Sequence, residues 1–385
     1  MNEKQLLFAL LKSVLEKKTL KLTQAPEEET LSKLYRLAKG HDVAHIAAYA
    51  LDKAQIQMSD ELKRKFAKQK LIAMYRCEQI RYDFDNICNT LEEQGINFIP
   101  LKGSVLRKLY PEEWMRTSCD IDILVKKDDC EKAGSVLCEK LKFTAKEGNT
   151  LHDYQFISPL GVVLELHYTL IEQFCMPKAS QLLEDVWKDS VAVCGFSYRH
   201  QLSEKMLMLY NVVHMAKHFV HGGCGIKSFI DLYILENEYG FDREKLALLE
   251  KASLLPFYMC TKKMCRVWFC GEEYDETSAE MESYVLRGGV YGSYDNSAAM
   301  SAGKGESKVK FVLNNVFLPY DALCVVFPKL KNRKVLYPFY QIKRWFRVFN
   351  NKKRKKINEI ISTRNTVSQK ECEQAKKLLC KLGID

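Results

Sequence analysis

A chain of 385 residues, 47% of them apolar, can bury a sizeable core in two or three packed units without help from a cofactor. No apolar run approaches the ~20 residues needed to cross a bilayer, which excludes a transmembrane helix. The net charge of +10 gathers near the C-terminus, where residues 328–356 hold twelve Lys/Arg and no Asp or Glu. The remainder is near neutral, so the charge speaks of an anionic partner and not of the fold.

The chain opens with MNEKQLLFALLKSVLEKK, in which acids and bases interleave with apolar residues. It has no small-residue cleavage site, so it predicts an amphipathic helix and a cytoplasmic protein. Residues 1–94 read as a helical region, with apolar positions in LLFALLKSVL, LSKLYRLAKG and VAHIAAYALDK recurring every three or four residues. A long helix is expected after Ser59, a good N-cap, and should end at Gly95, where a left-handed residue can stop it. Fourteen cysteines are scattered without a C-x-x-C pair, and Cys260, Cys265 and Cys270 recur every five residues, which suits no zinc knuckle. They read as reduced thiols acting as small hydrophobes.

After Gly95 the period changes. INFIPL (96–101) predicts a buried strand, and KGSVLRKLY a helix closed near Pro111. DIDILV (120–125) alternates with period two, as a strand does. DDCEKAGSVLCEKLK predicts a helix, FTAKEG a strand, and YQFISPLGVVLELHYTL a hairpin turning at Ser158, Pro159 and Gly161. Residues 95–200 therefore form an α+β core, a small mixed sheet with flanking helices, between helical N- and C-terminal regions. Residues 201–385 are mainly helical. The Gly/Ser-rich stretch 287–308 reads as a flexible loop, a lid or a bare connection.

Asp120 and Asp122 lie two apart on a predicted strand, so both carboxylates point to one face while Ile121, Ile123 and Val125 anchor the other. Neighbouring carboxylates repel, and such a pair on an otherwise apolar strand calls for a cation. Glu165 is again the lone acid of an apolar strand and offers a third ligand. Short oxygen ligands favour Mg²⁺, with Mn²⁺ as a substitute, and three carboxylates can hold the two ions used for in-line phosphoryl displacement. Upstream, Gly103 and Ser104 follow a strand and open a helix, where backbone amides can meet phosphate oxygens, with Lys102 adding charge.

Strand, Gly-Ser, helix, D-x-D and a later acid resemble the polymerase β-like nucleotidyltransferase superfamily. The run NFIPLKGSVLRKLYPEEWMRTSCDIDILV resembles one branch, the uncharacterised bacterial nucleotidyltransferases, as do LELHYTL (164–170), HMAKH (214–218) and FIDLYIL (229–235). The resemblance covers residues 90–240 well. It implies a polymerase β-like core that transfers a nucleoside monophosphate from an NTP such as ATP to an acceptor hydroxyl, releasing pyrophosphate. Asp120, Asp122 and Glu165 would be the catalytic, metal-holding carboxylates. Two features depart from the superfamily pattern: a longer gap between Gly-Ser and D-x-D, and Glu where the third acid is commonly Asp.

Other residues keep two or more readings. Arg116 either contacts the triphosphate or neutralises Asp120 or Glu112. His167 lines the nucleotide site, orients Glu165, or packs as a core histidine. His214 and His218 share a helix face, with His221 beyond them and Asp231 as a partner. They read as a zinc pair, as phosphate-facing side chains, or as packing. Lys217 reaches a phosphate or faces solvent. YPFYQIKRWFRVFNNKKRKK is a helix on an anionic membrane, a polynucleotide-binding face, or, by default, a packed helix with a solvated basic edge. The rival to an enzyme is an inactive scaffold that binds RNA, a membrane or a protein through that segment. The acceptor is left open among small molecules, sugars, proteins and RNA.

Overall fold

The computed structural model describes residues 1–146, 153–171, 176–290, 292–305, 327–348 and 367–384, with positions 307, 310, 313, 317, 320, 323 and 324. Four helices occupy the N-terminal part: α1 (Glu3–Leu15), α2 (Glu28–Gly40), α3 (Ala44–Lys53) and α4 (Asp60–Glu93). The start of α1 is fixed by a capping box between Asn2 and Gln5. Ser59 caps α4 by accepting from the Leu62 amide, and Gly95 leaves it in the left-handed region at φ +65°.

Five strands follow: β1 (Phe98–Pro100), β2 (Asp120–Val125), β3 (Thr144–Ala145), β4 (Asp153–Ile157) and β5 (Val163–His167). Their order in the sheet is β1-β2-β5-β4-β3, with β2 and β5 parallel and every other pair antiparallel. This is the small mixed sheet of an α+β protein. The β4–β5 hairpin turns where expected, because the Ser158 hydroxyl accepts from the amides of Leu160 and Val162 and Gly161 takes φ +78°. The helix expected at KGSVLRKLY is cut short. Only one turn, α5 (Gly103–Leu106), is α-helical, and a 3₁₀ turn follows it. Helix α6 (Cys130–Leu141) packs with α4 beneath the sheet, where Ile121, Ile123, Val125, Leu164 and Leu166 are buried among Ile80, Ile87 and Leu137. A short pair, β6 (Val191–Ala192) and β7 (His200–Gln201), was not anticipated from the pattern.

The rest is helical: α7 (Pro177–Glu184), α8 (Glu204–Val220), α9 (Ile226–Tyr239), α10 (Arg243–Lys251), α11 (Leu255–Cys270), α12 (Glu276–Gly288), α13 (Tyr294–Gly303), α14 (Tyr337–Val348) and α15 (Gln369–Leu382). Except for α14, these helices share one core with the N-terminal ones. Phe8 of α1 stacks on Trp268 of α11 at 4.3 Å between ring centroids. The thirteen cysteines described are free thiols.

The expectation of a loop over 287–308 is corrected, since helix occupies Tyr294–Gly303 and begins at the N-cap Ser293. Close approach, not looseness, accounts for Gly292 and Gly303 in this segment and for Gly225 opposite it. A Cβ on Gly292 would lie 2.5 Å from the backbone of Gly222, one on Gly225 would lie 2.7 Å from Val290, and one on Gly303 would lie 2.7 Å from the Lys376 amide in α15. The Ser293 amide also donates to the Gly222 carbonyl at 3.0 Å, locking this segment to the turn between α8 and α9. Among the described residues no helix is long and apolar enough to cross a membrane.

Candidate active site

The site is built on the upper face of β2 and β5. Their parallel register sets Asp122 opposite Glu165 and places Asp120 and His167 one step to either side on the same face. The His167 Nε2 hydrogen-bonds Asp122 Oδ1 at 2.9 Å and lies 3.6 Å from Glu165 Oε2. From β4, the Gln155 side-chain amide donates to Glu165 Oε1 at 3.0 Å, and the buried Asp153 pairs across the strands with His167. Among the described residues, Asp122, Glu165 and His167 form the one group of three whose ligand atoms lie within 4.8 Å of one another. His167 thus orients Asp122 rather than Glu165, from a buried position. Asp120 stands at the head of β2, outside that trio but on the same face.

Lys102 meets this face from the turn after β1. Its ammonium donates to Asp122 Oδ1 at 2.8 Å. The residue holds φ +43° and ψ −121°, a conformation costing a non-glycine residue about 1–3 kcal/mol. The turn is maintained by Leu101 donating its amide to the Asp122 carbonyl at 3.0 Å. Beside it Gly103 permits a tight contact: a Cβ there would sit 3.3 Å from Ser118 Cβ. The buried Arg107 ties the two segments together, donating to the Gly103 carbonyl at 2.9 Å and the Ser118 hydroxyl at 3.0 Å.

The amide cradle expected at Gly103-Ser104 is smaller than the motif suggests. The Ser104 amide is bonded to the Leu101 carbonyl at 3.2 Å, and the Val105 and Leu106 amides to the Lys102 carbonyl at 3.0 and 2.9 Å. Ser104 is buried and does not line the cleft; its hydroxyl has no hydrogen-bond partner among the described residues.

The opposite wall of this ≈ 410 Å³ cleft comes from α8, α9 and the loop before β2. His214, Lys217 and His218 of α8 line it. The Nε2 atoms of His214 and His218 are 3.1 Å apart. Among the described residues no third metal ligand joins the pair, and Asp231 is engaged elsewhere. His221 bonds the Lys217 carbonyl through Nδ1 at 2.7 Å and lies outside the cleft lining.

Arg116 is paired with Asp231 and acts on Asp120 only as a weaker charge at a distance. Its Nε donates to both oxygens of Asp231 at 2.7 and 3.0 Å, its Nη2 to Oδ2 at 2.8 Å, and its Nη1 to the Thr117 carbonyl at 2.7 Å. Tyr110 adds its hydroxyl to Asp231 Oδ1 at 2.6 Å. Asp231 is therefore a buried, paired acid inside α9. Lys227, one turn earlier, was not singled out in the sequence. It lines the same cleft, donating to the Thr117 carbonyl at 3.1 Å, with Asp42 Oδ2 at 3.5 Å. No local pattern marks it, because its partners come from α3's approach and the β2 loop.

Burial pushes the Asp122 carboxyl up, yet the ammonium of Lys102 and the imidazole of His167 outweigh it and hold the group far below its usual range. The Lys102 charge is not enough for Glu165. Burial, followed by the charges of Asp122 and Asp153, pushes it up to about 8. Asp120 is likewise raised, by burial and by Asp122. His214 is driven well below its ordinary value by burial, with Lys102 and His218 adding to the effect, so it is a neutral imidazole. The floor is thus short of positive charge even with Lys102 in place, and oxygen donors on one face suit a hard divalent cation.

A family described as an uncharacterised nucleotidyltransferase has a model that matches residues 27–270 of this chain. No curated protein and no solved structure matches it.

Proposed function

The chain belongs to this nucleotidyltransferase family, and from that premise we propose that it moves a nucleoside monophosphate from an NTP to an acceptor hydroxyl, releasing pyrophosphate. The observation that carries this reading is the alignment of Asp122 with Glu165 in a cleft whose other wall bears Lys217 and Lys227. Carboxylates with a deficit of cation on one side, and cations on the other, fit a metal-bound polyphosphate between them.

Asp122 and Glu165 would hold a divalent ion, Mg²⁺ or Mn²⁺, with Asp120 at the edge for a second. Such ions, when bound, supply charge neutralisation for the triphosphate and a more acidic acceptor hydroxyl. Lys102 keeps Asp122 ionised, and His167 fixes which oxygen of Asp122 faces the cleft. Lys217 and Lys227 offer charge to the phosphates, while His214 contributes a neutral hydrogen-bonding ring. Arg116, held by Asp231 and Tyr110, shapes the loop that delivers Asp120. The pairing of fixed groups around a narrow cleft makes positioning the main contribution of the protein.

Incubation with each labelled NTP, Mg²⁺ and cell extract would reveal the acceptor by what becomes labelled. The Asp122→Asn variant keeps hydrogen-bonding partners for Lys102 and His167 but loses the charge. It should reduce Mg²⁺-dependent turnover by on the order of 10²–10³-fold or more. Undiminished turnover would sink the assignment. Thermal stabilisation by NTP only in the presence of Mg²⁺ would separate the enzyme from an inert scaffold.

A further inference from the structure

Helix α14 lies outside the core described so far. Its inner face builds a small cluster of its own: Tyr337 and Tyr340 pack with Leu323, Phe327 and Leu330. Tyr340 lies 5.0 Å from the Phe327 ring, and Trp345 stacks on Phe317 at 5.3 Å. Gln341 is buried and donates to the Tyr337 hydroxyl at 2.8 Å. Pro338 is tolerated because it falls in the first turn.

A packed helix would be expected to turn polar residues outward, and this one does the reverse. Phe339, Ile342 and Phe346 are 61%, 57% and 81% exposed, and Val335 just before the helix is 92% exposed. Steps of three and four put Phe339, Ile342 and Phe346 on one stripe of the helix. Around them, residues 328–348 carry seven Lys/Arg and no acid. Lys331, Arg333, Lys334 and Lys343 are exposed beside the stripe.

Helix α4 also exposes Leu71, Ile72 and Tyr75, but Lys70, Arg76, Glu78 and Arg81 surround them with both signs of charge, so nothing there selects a partner. On α14 the selection is one-sided. An apolar stripe rimmed by cations alone complements a surface that is apolar below and anionic above. Single-stranded RNA fits less well. Phe339 and Phe346 offer bases two rings, but Ile342 and Val335 beside them offer none, and the Tyr and Trp rings are engaged inward.

We propose that α14 is a docking surface for an anionic lipid bilayer, lying in the interface plane with Phe339, Ile342 and Phe346 in the acyl boundary and the flanking cations at the headgroups. This surface is independent of the nucleotide cleft and of the reaction assigned to it.

The test is flotation of the full chain with phosphatidylcholine vesicles, with and without phosphatidylserine. Binding is expected only with the anionic lipid and should weaken as salt rises. The double variant Phe339→Ser/Phe346→Ser keeps every charge and removes exposed side chains only, so its thermal midpoint should not move while vesicle affinity falls by ~10-fold or more. Failure to float with anionic vesicles overturns the proposal. So does equal binding by the serine variant, which would reduce the contact to charge. A single-stranded oligouridylate that binds the wild type more tightly than vesicles, and loses affinity in the serine variant, would assign the stripe to RNA instead.

Discussion

The floor and the wall of the cleft carry opposite charge and are built by different rules. The floor is a product of strand geometry: Asp120, Asp122, Glu165 and His167 share a face because two parallel strands alternate in phase. Only Asp122 has strong internal partners, in Lys102 and His167, so Asp120 and Glu165 resist ionisation until a cation joins them. The wall is a product of tertiary packing, and its buried cations are answered within the protein, Arg116 by Asp231 and Lys227 by Asp42 and a carbonyl. The difference teaches where each change should register. Damage to the floor should show in ligand binding and turnover, and damage to the Arg116–Asp231 pair of the wall in stability.

The largest effect is expected where the wall is broken. Asp231→Ala would leave Arg116 buried without its counter-ion and Tyr110 without its acceptor. The urea midpoint should fall by the equivalent of ~3–5 kcal/mol. The double variant Arg116→Met/Asp231→Leu, which removes both charges, should recover much of that loss. If Asp231→Ala unfolds with the wild-type midpoint, the wall is not self-neutralised in the way described.

A subtler change sharpens the contrast from the floor. Without metal, Glu165 is pushed up to about 8 from its usual 4.5, first by burial and then by Asp122 and Asp153. Between those two values the unfolded chain ionises this group and the folded protein does not. Folding therefore loses ground as pH rises through that window. Glu165→Gln removes the penalty, so the metal-free variant should exceed the wild type by ~1–3 kcal/mol near pH 8, with the gap closing toward pH ~5. Denaturant titrations at the two pH values measure it. A gap independent of pH would mean that Glu165 is ionised throughout and that the floor is better compensated than the geometry implies.

How much of this was legible in the sequence follows the same division. The α+β class and the face shared by Asp120 and Asp122 are local consequences of period and spacing, and they stand in DIDILV and VVLELHY without any partner being known. The register that sets Asp122 against Glu165 is not local, and neither is the bond from Arg116 to Asp231, 115 residues away. Lys227 had no signal at all. The glycines of 287–308 were visible, but glycine serves looseness and close approach alike. Only the 2.5–2.7 Å contacts that a Cβ would make decide between them. For α14 the amphipathic pattern was plain, while which face packs inward depends on Phe317 and Phe327 being present to receive it.

The smallest effect tests the join between floor and wall. At Gly103 a Cβ would lie 3.3 Å from Ser118 Cβ, 3.4 Å from its Oγ and 3.5 Å from Arg116 Nη1. Alanine gains ~1 kcal/mol in helix propensity at most. Overpacking of a closed contact costs ~1–3 kcal/mol, so the net stability change should be a loss of ~0–2 kcal/mol. Its functional consequence should be larger than that figure suggests. Ser118 donates to the Asp120 carbonyl at 3.1 Å and receives Arg107, so a displaced Ser118 moves the start of β2. Gly103→Ala should therefore weaken Mg²⁺-dependent NTP binding, read by calorimetry, more than it lowers the melting temperature. A variant that melts higher and binds as before would show that Ser118 has room to yield, and that the turn tolerates a side chain where the two halves of the cleft meet.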